Sequence, residues 1–146
     1  MIKNKILRCC LFFVVALSIL VIVFVLNHRK QIDLIVQTKE IIVSAYDTYG
    51  VLPDKFNGMI SSDLFEKICF RSKPKIDKAN ITENYQLSDW CVDIIDDKAT
   101  VKYTYTYSQR EKNTGNPLTG SLCIPCEICY ECVDGIWIAV LYKEPL

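Results

Sequence analysis

An uninterrupted apolar run near the start of the chain constrains its fold more than any other feature. Cys9 to Leu26 spans 18 residues without a charge, and Ser18 is its only clearly polar side chain. A helix rises about 1.5 Å per residue, so this run reaches roughly 27 Å, close to the roughly 30 Å core of a bilayer. A cleaved signal peptide has a shorter apolar region that ends in small residues, whereas this run ends in Asn27 to Lys30. The sequence therefore predicts one transmembrane helix over residues 9–26, retained as an anchor.

Basic residues on both sides of the run bear on its orientation. Three bases precede the run and two follow it: Lys3, Lys5, Arg8, Arg29 and Lys30. The positive-inside rule counts such flanking bases. We expect residues 1–8 to form a short cytoplasmic tail and residues 27–146 to form a domain outside the cytoplasm. The predicted location is the cell membrane with a single pass, and the opposite orientation stays open on these counts.

Charge and composition restrict the partners of this domain. The chain has 17 basic and 17 acidic side chains, so it lacks the net positive charge that a nucleic-acid binder needs. With 51% hydrophobic residues it is also too apolar for a disordered tail. We therefore expect the lipid bilayer and other proteins as partners and no nucleic acid, and homo-oligomer formation is left open.

Apolar positions recur at helical spacing directly after the membrane run. From Gln31 to Tyr49 they follow at three- and four-residue steps, which predicts an amphipathic helix. Gly50 supplies the left-handed residue that commonly ends a helix. A second, shorter helix is predicted over Asp63 to Phe70, since Asp63 and Glu66 have capping-box spacing.

The pattern changes to strict alternation after a basic loop at Arg71 to Lys78. Apolar residues alternate with polar ones from Asp89 to Ile94 and again from Val101 to Tyr107. The acidic pair Asp96-Asp97 separates the two stretches. This pattern predicts two strands of a hairpin.

Two further strands are predicted near the end of the printed sequence. The polar stretch Gln109 to Gly120 reads as a loop, and a third strand follows near Leu122 to Val133. Asp134-Gly135 is a strong hairpin turn, and it leads to a fourth strand over Ile136 to Tyr142. Helices followed by an antiparallel meander predict the α+β class.

Four aromatic residues of the predicted sheet mark a candidate pocket. Tyr103, Tyr105 and Tyr107 share one face of the second strand, and Trp137 lies on the fourth. Core packing, with the hydroxyl groups reaching the rim, is the favoured interpretation of the tyrosine row. The alternative is a platform on which a ligand stacks.

The chain from about Gln31 to Leu146, with an amphipathic helix and a shorter helix before a terminal meander, resembles the nuclear transport factor 2-like superfamily. The resemblance rests on VDIIDDKATVKYTYTYS, on CEICYECVDGIWIAVLYKEP and on an acidic-Gly turn before an aromatic-containing last strand. It implies a cone-like domain in which amphipathic helices pack on a curved four-stranded antiparallel meander. Members with one membrane helix include small bacterial anchored domains and the inner-membrane core subunit of type IV secretion and conjugation machines, an assembly platform.

The same resemblance bears on catalysis. Enzymatic members of the superfamily place His, Asp or Tyr inside the cone. The one histidine of this chain is His28, at the predicted membrane border. The resemblance therefore implies a domain that is not an enzyme and needs no cofactor.

Eight cysteines suggest a different chemistry. Four of them form a Cys-x2-Cys-x2-Cys-x2-Cys run: Cys123, Cys126, Cys129 and Cys132. Together, or with Cys69 or Cys91 as a remote ligand, they could hold zinc or an iron-sulfur cluster. Strand alternation is the competing interpretation, because residues three apart on a strand point to opposite faces. That interpretation is favoured, and it makes Cys126 and Cys132 core residues.

Cys91 and Cys129 are predicted on outward faces of the strands. They are therefore candidates for a disulfide or for exposed thiols.

The sequence as a whole favours a membrane-anchored, non-enzymatic interaction or assembly module, such as an accessory subunit of a secretion or conjugation system. A cysteine-rich metal-binding or redox module is the alternative.

Overall fold

The computed structural model describes residues 2–71 and 78–144. These residues form two α-helices, two short 3₁₀ turns and four strands. In chain order they are α1 (Ile2–Asp47), the turn Asp54–Phe56, α2 (Ser62–Ile68), the turn Lys78–Asn80, β1 (Ile81–Ile95), β2 (Lys98–Glu111), β3 (Pro117–Val133) and β4 (Ile136–Lys143). The chain divides into two units, Met1–Asp33 and Leu34–Leu146.

The first unit consists of the N-terminal part of α1. Its large apolar side chains between Val14 and Leu26 are exposed, and Phe24 exposes 73% of its surface. Within residues 2–71 and 78–144, one helix is long and apolar enough to cross a membrane. The predicted apolar N-terminal helix is therefore confirmed.

The two helical segments expected before residue 50 are a single helix. The sequence predicts a membrane helix over residues 9–26 and an amphipathic helix over Gln31–Tyr49, whereas α1 contains both. The connecting residues Asn27 to Lys30 include neither proline nor glycine, so nothing there breaks the helix.

The end of α1 differs slightly from the prediction. The helix stops at Asp47, and Tyr49 is the first left-handed residue, at φ 54°. Gly50 follows at φ 79° and donates its N–H to the carbonyl of Ala45 at 2.8 Å, which satisfies the helix end. A Cβ on Gly50 would lie 3.1 Å from the Cα of Glu66, so this glycine also permits close approach to α2.

The second unit contains an open four-stranded antiparallel sheet in the order β1-β2-β3-β4. The predicted α+β class and the four-stranded antiparallel meander are confirmed. The hairpin turn between β3 and β4 is Asp134-Gly135, with both residues at positive φ, as the sequence predicts.

The strands are longer than predicted. β1 begins at Ile81, and β2 and β3 extend into the stretch Gln109–Gly120, so the predicted twelve-residue loop shrinks to the turn between Glu111 and Pro117. Hydrophobic alternation does not reveal these ends, because the residues there are mostly polar.

One face of the sheet carries the core. Ala99, Val101 and the tyrosines of β2 lie beside Cys126, Ile128 and Tyr130 of β3, and all are buried. The Leu34–Asp47 part of α1 contributes its own buried stripe of Leu34, Thr38, Ile41, Ile42 and Ala45. Thr38 Oγ1 and Tyr130 Oη share a hydrogen bond of 2.8 Å, which ties helix to sheet inside the core. This face is called the inner face below.

Helix α2 has a different cap from the one predicted. The cap is Ser61, whose hydroxyl oxygen accepts the N–H of Leu64 at 3.3 Å, so the capping box at Asp63 and Glu66 is wrong. The helix ends at Ile68, two residues before the predicted Phe70. Its buried residues are Leu64, Phe65 and Ile68.

Candidate functional site

The tyrosine row of the predicted pocket is part of the core. Tyr103, Tyr105 and Tyr107 expose 2%, 5% and 2% of their surface. Trp90 stacks on Tyr103 with ring centroids 5.3 Å apart, and Phe70 stacks on Tyr105 at 4.7 Å. Other side chains of the chain therefore occupy the space over these rings.

Trp137 does not join the tyrosine row. It pairs with Cys132, whereas Tyr103 pairs with Cys126. Six residues along β3 separate these positions by roughly 20 Å. Trp137 is half-buried, and its carbonyl accepts a hydrogen bond from Gln37 Nε2 at 2.9 Å, a contact that attaches β4 to α1. The four aromatic residues thus do not line one pocket.

Two polar clusters lie among the buried aromatic rings. The first, called the Glu83 cluster, contains Tyr46, Arg71, Glu83, Tyr107 and Gln109. Arg71 forms an ion pair with Glu83, and their side chains are only 18% and 13% exposed. Glu83 accepts hydrogen bonds from Gln109 Nε2 at 2.7 Å, from Tyr46 Oη at 3.0 Å and from Tyr107 Oη at 3.3 Å.

The guanidinium group of Arg71 is held on several sides. Its carbon lies 4.6 Å from the ring centre of Tyr46 and 4.0 Å from that of Tyr49. One of its terminal nitrogens donates to the carbonyl of Tyr46 at 3.3 Å. The planar cation thus packs on aromatic faces while it pairs with the carboxylate.

The protonation state of Glu83 follows from these contacts. Burial alone raises the pKa of a carboxyl group, but the hydrogen bonds that Glu83 accepts and the charge of Arg71 outweigh it, so the pKa of Glu83 lies below its ordinary value. Glu83 is therefore ionised at neutral pH and fully engaged. Its role is to connect α1, Arg71 and the first two strands.

The second group, called the Cys126 cluster, lies on β2, β3 and β4 and includes the residue that follows β4. It contains Tyr103, Tyr105, Cys126, Tyr142 and Glu144. Cys126 Sγ and Tyr142 Oη share a hydrogen bond of 3.2 Å, and Tyr105 Oη and Tyr142 Oη donate to the two oxygens of Glu144 at 3.0 and 3.4 Å. Tyr103 Oη is buried near the same thiol and has no hydrogen-bond partner of normal geometry among the described residues.

The thiol of this cluster is held in its neutral form. Burial raises the pKa of Cys126 above its ordinary value, and burial likewise raises the pKa of Tyr105 to about 12. The thiolate is the nucleophilic and metal-binding form of cysteine. Cys126 is therefore a core thiol, as strand alternation predicts.

The remaining cysteines of the run do not come together. All four lie on β3, with Cys126 and Cys132 on the inner face and Cys129 on the other. Cys126 is buried as predicted, but Cys132 is only half-buried because it lies near the end of the strand, so the prediction that Cys132 is a core residue is wrong. Cys123 has a φ of 51° and lies in a β-bulge. In this bulge two residues of β3 are opposite a single residue of β2, Thr106. Among the described residues, no group of three or more His, Cys, Asp or Glu side chains could hold a metal ion.

Cys91 and Cys129 do not form a disulfide with each other. Cys91 is exposed on β1 and Cys129 is half-buried on β3, and both are free thiols. They lie two strands apart, roughly 10 Å, which exceeds the roughly 7 Å limit between the Cα atoms of a disulfide. Cys91 therefore fits the predicted exposed thiol.

Several features of this region escape sequence reasoning. Sequence analysis does not single out Glu83, Gln109 or Glu144, because the residues that they contact lie far away in the chain. It also misses a shallow cavity of about 550 Å³ on the surface of α1, lined by Val36, Lys39, Glu40, Val43, Ser44, Asp47 and Lys55.

The outer face of the sheet is partly apolar. Val133, Ile136, Ile138 and Leu141 lie together where β3 pairs with β4, and three of them are about half exposed. We call these residues the aliphatic strip. Beside the strip, exposed ion pairs join Lys98 to Glu131 at 3.7 Å and Lys102 to Asp93 at 3.8 Å.

Comparison with known proteins gives no match: the chain matches no family model, no curated protein and no solved structure. The resemblance to the nuclear transport factor 2-like superfamily therefore has no support from these comparisons and stays a prediction.

Proposed function

We propose that the chain is a membrane-anchored, non-enzymatic assembly module whose sheet binds protein. One observation carries the proposal: an apolar helix of membrane length precedes a domain whose sheet is open. Open strand edges and uncovered aliphatic surface are features that proteins use to bind other chains. In this domain they are the outer edge of β1 and the aliphatic strip.

The chemistry of the buried groups supports the same proposal. Glu83 is tied to Arg71, and the thiol of Cys126 is neutral and hydrogen-bonded to Tyr142. These groups stabilise contacts between helices and strands. Because the buried groups serve these contacts, we assign the function to the exposed surface of the domain, as a surface that binds protein.

The wider setting remains a set of predictions within this proposal. The domain lies outside the cytoplasm, and the module serves a secretion or conjugation system as an accessory subunit. The cone-like packing of the nuclear transport factor 2-like superfamily belongs to the same set. The order of one long helix followed by an antiparallel meander is compatible with it.

The anchor is tested by washing membranes that contain the full chain with alkaline carbonate. A membrane-spanning helix keeps the protein in the pellet, because an 18-residue uncharged, mostly apolar run is costly to expose to water. A variant with Leu17→Arg and Ile22→Arg serves as control and should move to the supernatant. Release of the unaltered chain would contradict the proposal.

The assembly role is tested by the mass of the full chain in a mild detergent under reducing conditions. Size-exclusion chromatography with light scattering separates the polypeptide mass from that of the detergent. We expect a polypeptide mass well above the 16.8 kDa of one chain. A mass of one chain at all accessible concentrations would show that the module does not assemble.

A further inference from the structure

We propose that two copies of the chain pair antiparallel along the outer edge of β1, which joins their sheets into one of eight strands. This inference rests on the proposed assembly function and names its partner, a second copy. It depends on three observations: the regularity of this edge, its charge and the self-complementary order of its residues.

The first half of β1 is the most regular open edge of the sheet. Ile81 to Ser88 pair with Glu111 to Thr104 of β2 without a register shift. Within the described residues, β1 has no neighbour on its other side. Its backbone N–H and C=O groups on that side are therefore available to another strand.

The other open edges are less suited to pairing. On β4, Ala139 N donates to the carbonyl of Met59 at 2.8 Å, so the middle of that edge is already used. On β3, the part before Glu127 has no β4 partner, but it contains Pro117 and Pro125 and two register shifts against β2. Prolines and bulges are devices that protect an edge from pairing.

The charge of the β1 edge also favours a second copy. The only charged residue between Ile81 and Ser88 is Glu83, and Arg71 neutralises it inside the domain. Two copies can therefore approach here without repulsion. In the second half of β1, by contrast, a two-fold axis at Cys91 would set Asp89 against Asp93 of the second copy.

On the outer face of the sheet, a two-fold axis at Tyr85 gives matched polar pairs along the edge. In that register Asn84 faces Gln86 of the second copy, and Thr82 faces Ser88 of the second copy. Amide with amide and hydroxyl with hydroxyl are favourable cross-strand pairs. Tyr85 is 37% exposed at the centre, and it packs on Tyr46 with ring centroids 4.3 Å apart, which fixes the ring for contact with its symmetry mate.

The test places a photo-cross-linking amino acid, p-benzoylphenylalanine, at one position of the full chain in membranes. Asn84 probes the β1 edge, and Ile136 probes the aliphatic strip; both are exposed. We expect a covalent dimer of the chain from position 84 and none from position 136. A dimer from position 136 alone would overturn the inference while the assembly role stands. If neither position gives a dimer and the mass is that of one chain, both proposals fall.

Lysine variants provide the second measurement. Asn84→Lys with Gln86→Lys sets like charges against each other across the proposed axis, so dimer affinity should fall at least about tenfold. Ile136→Lys is the matched control and should leave affinity unchanged. Both changes lie on exposed side chains, and circular dichroism checks that each variant is folded. Unchanged dimer affinity in the double variant would overturn the inference.

Discussion

The Glu83 cluster and the Cys126 cluster differ in charge, although both lie on the inner face of one sheet. In the Glu83 cluster an ion pair is surrounded by three further hydrogen-bond donors to the carboxylate. In the Cys126 cluster the buried thiol and tyrosine hydroxyls are neutral, and the carboxylate of Glu144 lies at the exposed end. The buried carboxylate of Glu83 has several donors because a buried charge without partners is costly. Each cluster nevertheless contains one buried polar atom, Arg71 Nε or Tyr103 Oη, that has no hydrogen-bond partner of normal geometry among the described residues.

The largest effect is expected from Glu83→Gln. The substitution leaves the largely buried guanidinium of Arg71 without an anion, so the free energy of unfolding should fall by about 3 kcal/mol. Urea unfolding of the full chain in detergent measures it. The control is Glu131→Gln, which removes an exposed pair with Lys98 and should cost below about 1 kcal/mol. Equal losses of stability in the two variants would show that the buried pair at Glu83 contributes no more than an exposed pair.

The two clusters should respond to opposite ends of the pH scale. The pKa of Glu83 is lowered by folding, so its stabilisation is present above the unfolded value of about 4.3 and is lost as pH falls through the folded pKa. The pKa of Cys126 is raised by folding, so its contribution is present below the unfolded value of about 8.5 and is lost as pH rises. The free energy of unfolding, measured from pH 3 to 10, checks both the loss at acid pH and the loss at alkaline pH. Glu83→Gln should flatten the acid side of this curve and leave its alkaline side unchanged.

Tyr142→Phe should have a smaller effect than Glu83→Gln. It removes the hydroxyl that shares a hydrogen bond with Cys126 and donates to Glu144, which should cost about 1 kcal/mol of unfolding free energy. Thermal unfolding of the two variants, measured side by side, shows which variant loses more stability. A larger loss of stability in Tyr142→Phe would contradict the expected difference between the clusters.

The smallest effect is expected from Tyr103→Phe. Its buried hydroxyl has no partner of normal geometry among the described residues, so its removal should leave stability unchanged or raise it by up to about 1 kcal/mol. The same thermal measurement applies. A loss above about 1 kcal/mol would show that this hydroxyl is hydrogen-bonded.

Local patterns in the sequence account for much of the fold. The apolar run, the helical spacing after it, the alternation on Val101–Tyr107 and the Asp134-Gly135 turn each act between near neighbours, and each predicts its element correctly. The same alternation predicts that Cys126 is a core residue and Cys129 is not. The cap of α2 and the ends of the strands are predicted less well. At the strand ends, polar residues such as Thr82 and Ser108 continue the strand, so the hydrophobic pattern does not reveal them.

The candidate site could not be predicted in the same way. The Glu83 cluster joins residues from Tyr46 to Gln109, and no local pattern indicates that Arg71 meets Glu83. Trp137 is grouped with the tyrosine row as another aromatic residue of the predicted sheet, whereas the register places it six residues away along β3. The open edge of β1 emerges only from the strand order.

Counting the copies of the chain in its membrane tests the assembly role most directly. Each chain carries one fluorescent protein, and the bleaching steps of single spots are counted in native membrane at low expression. The account predicts a majority of two-step spots, with Asn84→Lys and Gln86→Lys together shifting them to one step. One-step spots throughout for the unaltered chain would contradict it.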